Sequence, residues 1–213
     1  VGCAVKESGI PREELFLTTK IYRPRTTYQK AKSGIEQSLN ELQTDYIDLL
    51  LIHEPYKSAP EMYEAFKEAL RDGKVRAIGI SNFDAEKYKE FVRSCEIIPA
   101  VNQVESHVYF PQLELKNLLN SYGTQMQSWA SFTEGRKNIF AEPVLKEIGA
   151  RHGKTSGQIA LRYLIQNGIA VIPKSVHRER MAENLAVLDF ALTPSEISAI
   201  SRLNGNSSLF GWY

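Results

Sequence analysis

The sequence predicts an α/β fold in which a parallel sheet, covered outside by helices, closes as a (β/α)8 TIM barrel. Three observations predict it. Apolar or β-branched runs of strand length alternate with helical patterns along all 213 residues. No G-x-G-x-x-G follows any strand run, which weakens the competing open, doubly wound sheet. Nearly every strand run ends in a side chain that can donate, accept or stack, and a barrel carries its chemistry at the C-terminal strand ends.

The elements follow in chain order. VGCAVKESG (1–9) reads as the middle of a helix stopped by Gly9. LFLTTK (15–20) is the first strand run and ends on Lys20. In 28–43, Ala31, Ile35, Leu39 and Leu42 share one helical face. YIDLLLIH (46–53) is a buried strand that ends, unusually for a core segment, on His53 and Glu54. Pro60 opens the next helix and Gly73 closes it. AIGIS (77–81) leads into Ser81–Asn82, and Asp84 can cap a helix carrying Tyr88, Phe91 and Val92. AVNQVES (100–106) carries Asn102 and Gln103, and TQMQSWA (124–130) ends around Ser128 and Trp129. A helix over 155–167 stops at Gly168, AVIPKS (170–175) ends on Lys174–Ser175, and TPSE (193–196) is a capping box.

No linker or low-complexity tract divides the chain, so one barrel domain over residues 1–213 is expected. Six strand runs are present where closure needs about eight. The first two strands are therefore expected upstream of Val1, which makes the domain incomplete at its N-terminus.

Composition excludes several classes. Lys and Arg total 26 against 25 Asp and Glu, interspersed, which leaves neither a basic stripe for nucleic acid nor a polybasic membrane patch. The longest apolar run is far short of the roughly 20 residues of a membrane span. Cys3 and Cys95 lack metal-ligand spacing, which points to free thiols in a reducing cytoplasm. The four histidines form no metal-like cluster, and His107, His152 and His177 receive no role.

Several segments together make the chain resemble the aldo-keto reductase family: ELFLTTKIY, DYIDLLLIHEP, GKVRAIGISNF, VNQVESHVY and IPKSVHRERMAENLAVLDFAL. They occur in the family's order along the whole chain. The resemblance implies reduction of an aldehyde or ketone by hydride transfer from NADPH. Lys20 matches the catalytic lysine that, paired to an aspartate, lowers the pKa of a proton-donating tyrosine from its ordinary value of roughly 10. His53 matches the histidine that orients the carbonyl. Ser81, Asn82 and Gln103 match the residues that hydrogen-bond the nicotinamide carboxamide, and Trp129 matches the aromatic beneath that ring. Lys174, Ser175 and Arg180 match the clamp on the adenosine 2′-phosphate, while Glu183 and Asn184 match the adenine contacts. Two cations and a hydroxyl around a phosphate favour NADP(H) over NAD(H).

The departures matter equally. Glu54 stands where the family usually has a pocket tryptophan, which would favour polar or cationic substrates. Ala130, Ser131 and Phe132 replace the usual S-P-L after the aromatic. The family's aspartate and tyrosine would lie upstream of Val1. A small-molecule carbonyl partner and a monomer follow from the resemblance, and the tail NGNSSLFGWY could either fold its closing aromatics over the pocket or be disordered. An alternative reading is a non-catalytic, NADPH-binding relative that has lost the proton donor. A barrel isomerase acting on sugar phosphates would leave the carboxamide and adenine motifs unexplained. Taken singly, Lys20 could be a strand-end lysine, His53 a satisfied core histidine, and Trp129 an ordinary core residue.

Overall fold

The computed structural model of the protein describes residues 1–211. Trp212 and Tyr213, the closing aromatics of the tail, lie outside the described residues. The strands are β1 (Thr18–Ile21), β2 (Ile47–Ile52), β3 (Val75–Ser81), β4 (Val101–Glu105), β5 (Gln125–Trp129) and β6 (Ala170–Val171), and they stand in one sheet in that order. By Cα proximity the chain forms two units. The first is Val1–Asn102 with Tyr122–Thr124, and the second is Gln103–Ser121 with the chain from Gln125 onward.

In the first unit, β1 pairs in parallel with β2, from Thr18↔Leu49 to Ile21↔Ile52, and β2 pairs in parallel with β3, from Ile47↔Val75 to Ile52↔Ile80. All six residues of β2 are buried, as expected of a central parallel strand covered on both faces. That explains why its sequence, Asp48 apart, is apolar throughout and does not alternate. Helix α1 (Gly2–Glu7) ends before Gly9, which takes φ +68°. Helix α2 (Tyr28–Leu42) starts where the Thr27 side chain accepts from the Lys30 amide. Helix α3 (Ala59–Arg71) has Pro60 in its first turn. Helix α4 (Ala85–Val92) is capped by Asp84, which accepts from the Lys87 amide. Gly79 is required by a close approach, because a Cβ there would sit 2.5 Å from the Val101 carbonyl oxygen.

One buried charge holds the start of this sheet. Asp48 is 2 % exposed. It accepts from the Leu17 amide at 2.8 Å, from Arg12 at 2.8 Å and from Arg76 at 3.2 Å. The two guanidinium groups lie 4.0 and 3.9 Å from the centre of the Tyr46 ring. Burial alone would push the Asp48 carboxyl up; the Leu17 amide and the Arg12 guanidinium outweigh it and hold the group below its ordinary range.

In the second unit, β5 and β6 pair in parallel through Gln127↔Ala170 and Ser128↔Val171. Helices α5 (Leu113–Ser121), α6 (Pro143–His152), α7 (Ser156–Gln166), α8 (Arg178–Leu185) and α9 (Pro194–Ser201) complete it. Leu145, Ile148, Ile159, Leu161, Leu164 and Ile200 supply its core. Thr155 with Gln158, and Thr193 with Glu196, form reciprocal capping boxes at α7 and α9. The run 170–175 is not a six-residue strand. It stops at Val171, because Pro173 has no amide hydrogen to extend a ladder, and Lys174–Ser175 therefore stand on a loop. Among the described residues no helix is long and apolar enough to cross a membrane, and no cluster of His, Cys, Asp or Glu could hold a metal.

Candidate functional site

The residues singled out by sequence fall into two groups, one in each unit. In the first unit the chain leaves β1 at Lys20–Ile21, leaves β2 at His53 and leaves β3 at Ser81. The His53 amide donates to the Ile21 carbonyl at 3.1 Å, which brings the ends of β1 and β2 together. Asn82 takes φ +64° and its Nδ2 donates to the His53 carbonyl at 3.1 Å, which adds the end of β3. Asparagine is among the residues that tolerate the left-handed region, and this long-range bond ties the end of β3 to that of β2, which the His53 amide ties to β1. Ser81 and Asn82 are buried, and Lys20, His53 and Glu54 are half-buried.

The electrostatics of this group are coherent. Burial lowers the Lys20 ammonium below its ordinary value. His53 is pulled below the usual imidazole range by burial first and by the Lys20 cation second, with Glu54 acting the other way. A neutral imidazole keeps one N–H to donate and one nitrogen to accept. The Tyr22 ring packs edge-on to His53, with centroids 5.9 Å apart. The Tyr56 hydroxyl is pushed up by burial first; the Arg23 amide, which donates to it at 3.4 Å, acts the other way, and the charge of Glu54 raises it further.

In the second unit, Lys174, Ser175, Arg180, Glu183 and Asn184 line one cavity of about 390 Å³. Its size falls within the range of small-molecule sites, about 300–1,000 Å³. Phe132, Phe140, Thr155 and Gly157 also line it. The two phenylalanine rings lie 5.3 Å apart, and Gly157 leaves room for them, since a Cβ there would meet the Phe140 ring at 3.2 Å. Sequence analysis assigned these four no role at the cavity. The T-S-G-Q capping signal could have drawn attention to Thr155, whereas nothing local marks Phe140.

Helix α8 has no buried residue, so its position depends on tethers. Gln158 Nε2 donates to the Glu183 carbonyl at 3.0 Å and to that of Ala186 at 3.4 Å, while its Oε1 accepts from the Thr155 amide. Lys154 Nζ reaches the Ala186 carbonyl as well. The Ser175 hydroxyl accepts from the His177 amide at 3.1 Å and shapes the entry to α8.

Gln103 and Trp129 belong to this unit but do not line that cavity. Gln103 Nε2 donates to Gln127 Oε1 at 2.6 Å. Trp129 closes β5 and is half-buried. The loop after it is strained, with Ala130, Thr133 and Glu134 at φ +56°, +61° and +45°. The Ser131 and Ser128 hydroxyls, 2.7 Å apart, hold its first turn, and Phe132 then turns toward the cavity.

The model of the family described as "Aldo/keto reductase family" matches residues 1–205. The chain is 38% identical over 205 residues to the glyoxal reductase of Bacillus subtilis strain 168, covering 96% of this chain and 74% of that protein. It is similar to the crystal structure of an aldo-keto reductase enzyme from a Medee basin deep-sea metagenome library, with TM-score 0.94, 37% identity and coverage of 98% and 78% of the two chains. It also resembles a Bombyx mori aldo-keto reductase solved in complex with NADP, with TM-score 0.89, 32% identity and coverage of 97% and 73%. The fold is the (β/α)8 barrel type of these proteins, as the strand–helix alternation predicts.

Proposed function

The chain belongs to the aldo/keto reductase family, and from that premise we propose that it serves the NADPH-dependent reduction of small aldehydes, ketones or dicarbonyls to alcohols. The observation that carries the cofactor reading is the cavity that gathers Lys174, Ser175, Arg180, Glu183 and Asn184. Its donor set fits an adenosine bearing a 2′-phosphate: two cations and a hydroxyl for the phosphate, with Glu183 and Asn184 for the adenine edge. A free 2′-hydroxyl would leave both cations without a counter-charge. NADPH, when bound, supplies the hydride.

The remaining roles are those that the family resemblance implies, and the chemistry of the residues suits them. Ser81, Asn82 and Gln103 hold the carboxamide of the nicotinamide, and Trp129 stacks on its ring. His53, kept neutral by burial and by Lys20, donates an N–H to the substrate carbonyl and fixes its direction. Lys20 supplies the positive potential that favours loss of a proton from a neighbouring acid. By the resemblance that acid is a tyrosine, and among residues 1–213 the parts named here are binding and orientation. Glu54 biases the pocket toward carbonyl compounds that carry hydroxyl, amine or other donor groups. The name of the Bacillus subtilis relative, a glyoxal reductase, supports small dicarbonyls as the first class to test. A reducing cytoplasm fits the two free cysteines.

Titrating residues 1–213 with NADPH and with NADH tests the reading. The expected preference for NADPH is about ten-fold or more, one charge-assisted hydrogen bond or better, and Arg180→Leu should remove most of it. Equal affinity for the two cofactors would overturn it. Turnover is read as NADPH consumption with glyoxal or an aromatic aldehyde.

A further inference from the structure

The cofactor and carbonyl roles leave one fully buried carboxylate without a part. Glu105 is the last residue of β4 and has no exposed surface. Its Oε1 accepts from the Leu209 amide at 2.8 Å and faces His107 Nε2 at 3.1 Å. Its Oε2 accepts from the Ser208 hydroxyl at 2.5 Å. A buried carboxylate is tolerated only when such donors satisfy it, and two of these three come from the C-terminal tail. The Ser208 oxygen in turn accepts from the Phe210 amide at 3.1 Å and from the Gly211 amide at 2.9 Å, which folds the tail into a turn. Upstream, the Gly205 amide donates to the Tyr109 carbonyl at 2.9 Å. The strap so formed, 204–211, delivers one ring to one place. Phe210 lies 4.9 Å from Trp129, inclined at 66°, with the Arg136 guanidinium 5.0 Å from the Phe210 ring.

We propose that Glu105 is a positioning residue: through Ser208 and Leu209 it fixes the C-terminal strap so that Phe210 sets the tilt of the Trp129 indole on which the nicotinamide stacks. The inference rests on the assignment of Trp129 as that platform. It adds a cause for the platform's orientation that comes from the tail, beyond the place of Trp129 at the end of β5. Offset and inclined aromatic pairs have preferred geometries. A ring anchored by a buried anion therefore restricts its neighbour more than a tail lying on the surface would.

The test uses the 213-residue chain with Trp212→Phe, which leaves Trp129 as the only tryptophan of the two. Ser208→Ala, Ser208→Thr, Phe210→Leu and Glu105→Gln are made in that background. Acrylamide quenching of Trp129 emission reports the strap directly. Affinities are measured for NADPH and for adenosine 2′,5′-bisphosphate, which offers the phosphate and adenine but no nicotinamide. The expected result is greater quenching in Ser208→Ala and Phe210→Leu, NADPH affinity weaker by about five- to ten-fold, unchanged bisphosphate affinity, and parent behaviour in Ser208→Thr. Should Glu105→Gln fail to fold, the two tail variants still decide. Unchanged quenching in both, or equal loss of both ligands, overturns the strap while leaving the platform in place. A parent that binds NADPH no better than the bisphosphate overturns the platform assignment, and the strap's role with it.

Discussion

Replacing Gln158 by methionine, which conserves volume and side-chain length, should loosen helix α8 without touching a charge. The variant loses the bond from Nε2 to the Glu183 carbonyl at 3.0 Å and the bond from the Thr155 amide to Oε1 at 3.0 Å. At about 1 kcal/mol net for each bond, the loss would reach ~2 kcal/mol. Thr155 and Glu183 are both exposed, so water replaces part of each bond and about 1 kcal/mol remains. At roughly 2–4 °C per kcal/mol for a chain of this length, Tm should fall by about 3 °C. The ordering of α8 is then deferred to cofactor binding, and about 1 kcal/mol corresponds to about five-fold in Kd. Because α8 carries Glu183 and Asn184 as well as Arg180, NADPH and NADH should weaken together. Paired fluorescence titrations measure this, alongside a thermal melt. A loss confined to NADPH would show that Gln158 acts on the phosphate and not on the helix, and unchanged affinity for both would show that Lys154 and the α7 packing hold α8 unaided.

Three further outcomes follow. Lys20→Met should raise the pKa of His53 toward its ordinary 6.5, since the Lys20 cation is the second cause of its depression after burial; an NMR titration of the imidazole that shows no rise would contradict that coupling. Asp48 has a depressed folded-state pKa, so its contribution to stability is complete above the ordinary value of 3.8 and is lost as pH falls through the folded value. Removing one depressing partner with Arg12→Met should therefore move the acid-unfolding midpoint to higher pH, and a midpoint that stays put would mean that Leu17 and Arg76 suffice. Gly79→Ala places a methyl 2.5 Å from the Val101 carbonyl and should destabilise by about 1–3 kcal/mol in urea unfolding, whereas an unchanged midpoint would show that β4 shifts at little cost.

Much of this protein was legible in its residues because the signals are local. The fully buried β2, the caps at Asp84, Thr193 and Pro60, and the stop at Gly9 each express a period, a missing amide hydrogen or a short side chain that bonds its own backbone. The polar ends of the strand runs, at Lys20, His53, Ser81 and Asn82, are legible too, as local breaks in apolar character. The last strand is shorter than its apolar run, because hydrophobic character carries on past Val171 while Pro173 cannot extend the ladder. Helices α5 and α6 have no comparable local marker in the sequence, since their apolar faces are defined by what they pack against. Sequence by itself determined the α/β class, the strand order along the chain and the chemical types gathered at the strand ends. Tertiary structure alone decided that Phe132, Phe140 and Gly157 wall the cavity, that Gln158 tethers α8, and that Glu105 holds a tail more than a hundred residues away. These are contacts between segments distant in the chain, and no local propensity encodes which buried carboxylate will find which distant amide.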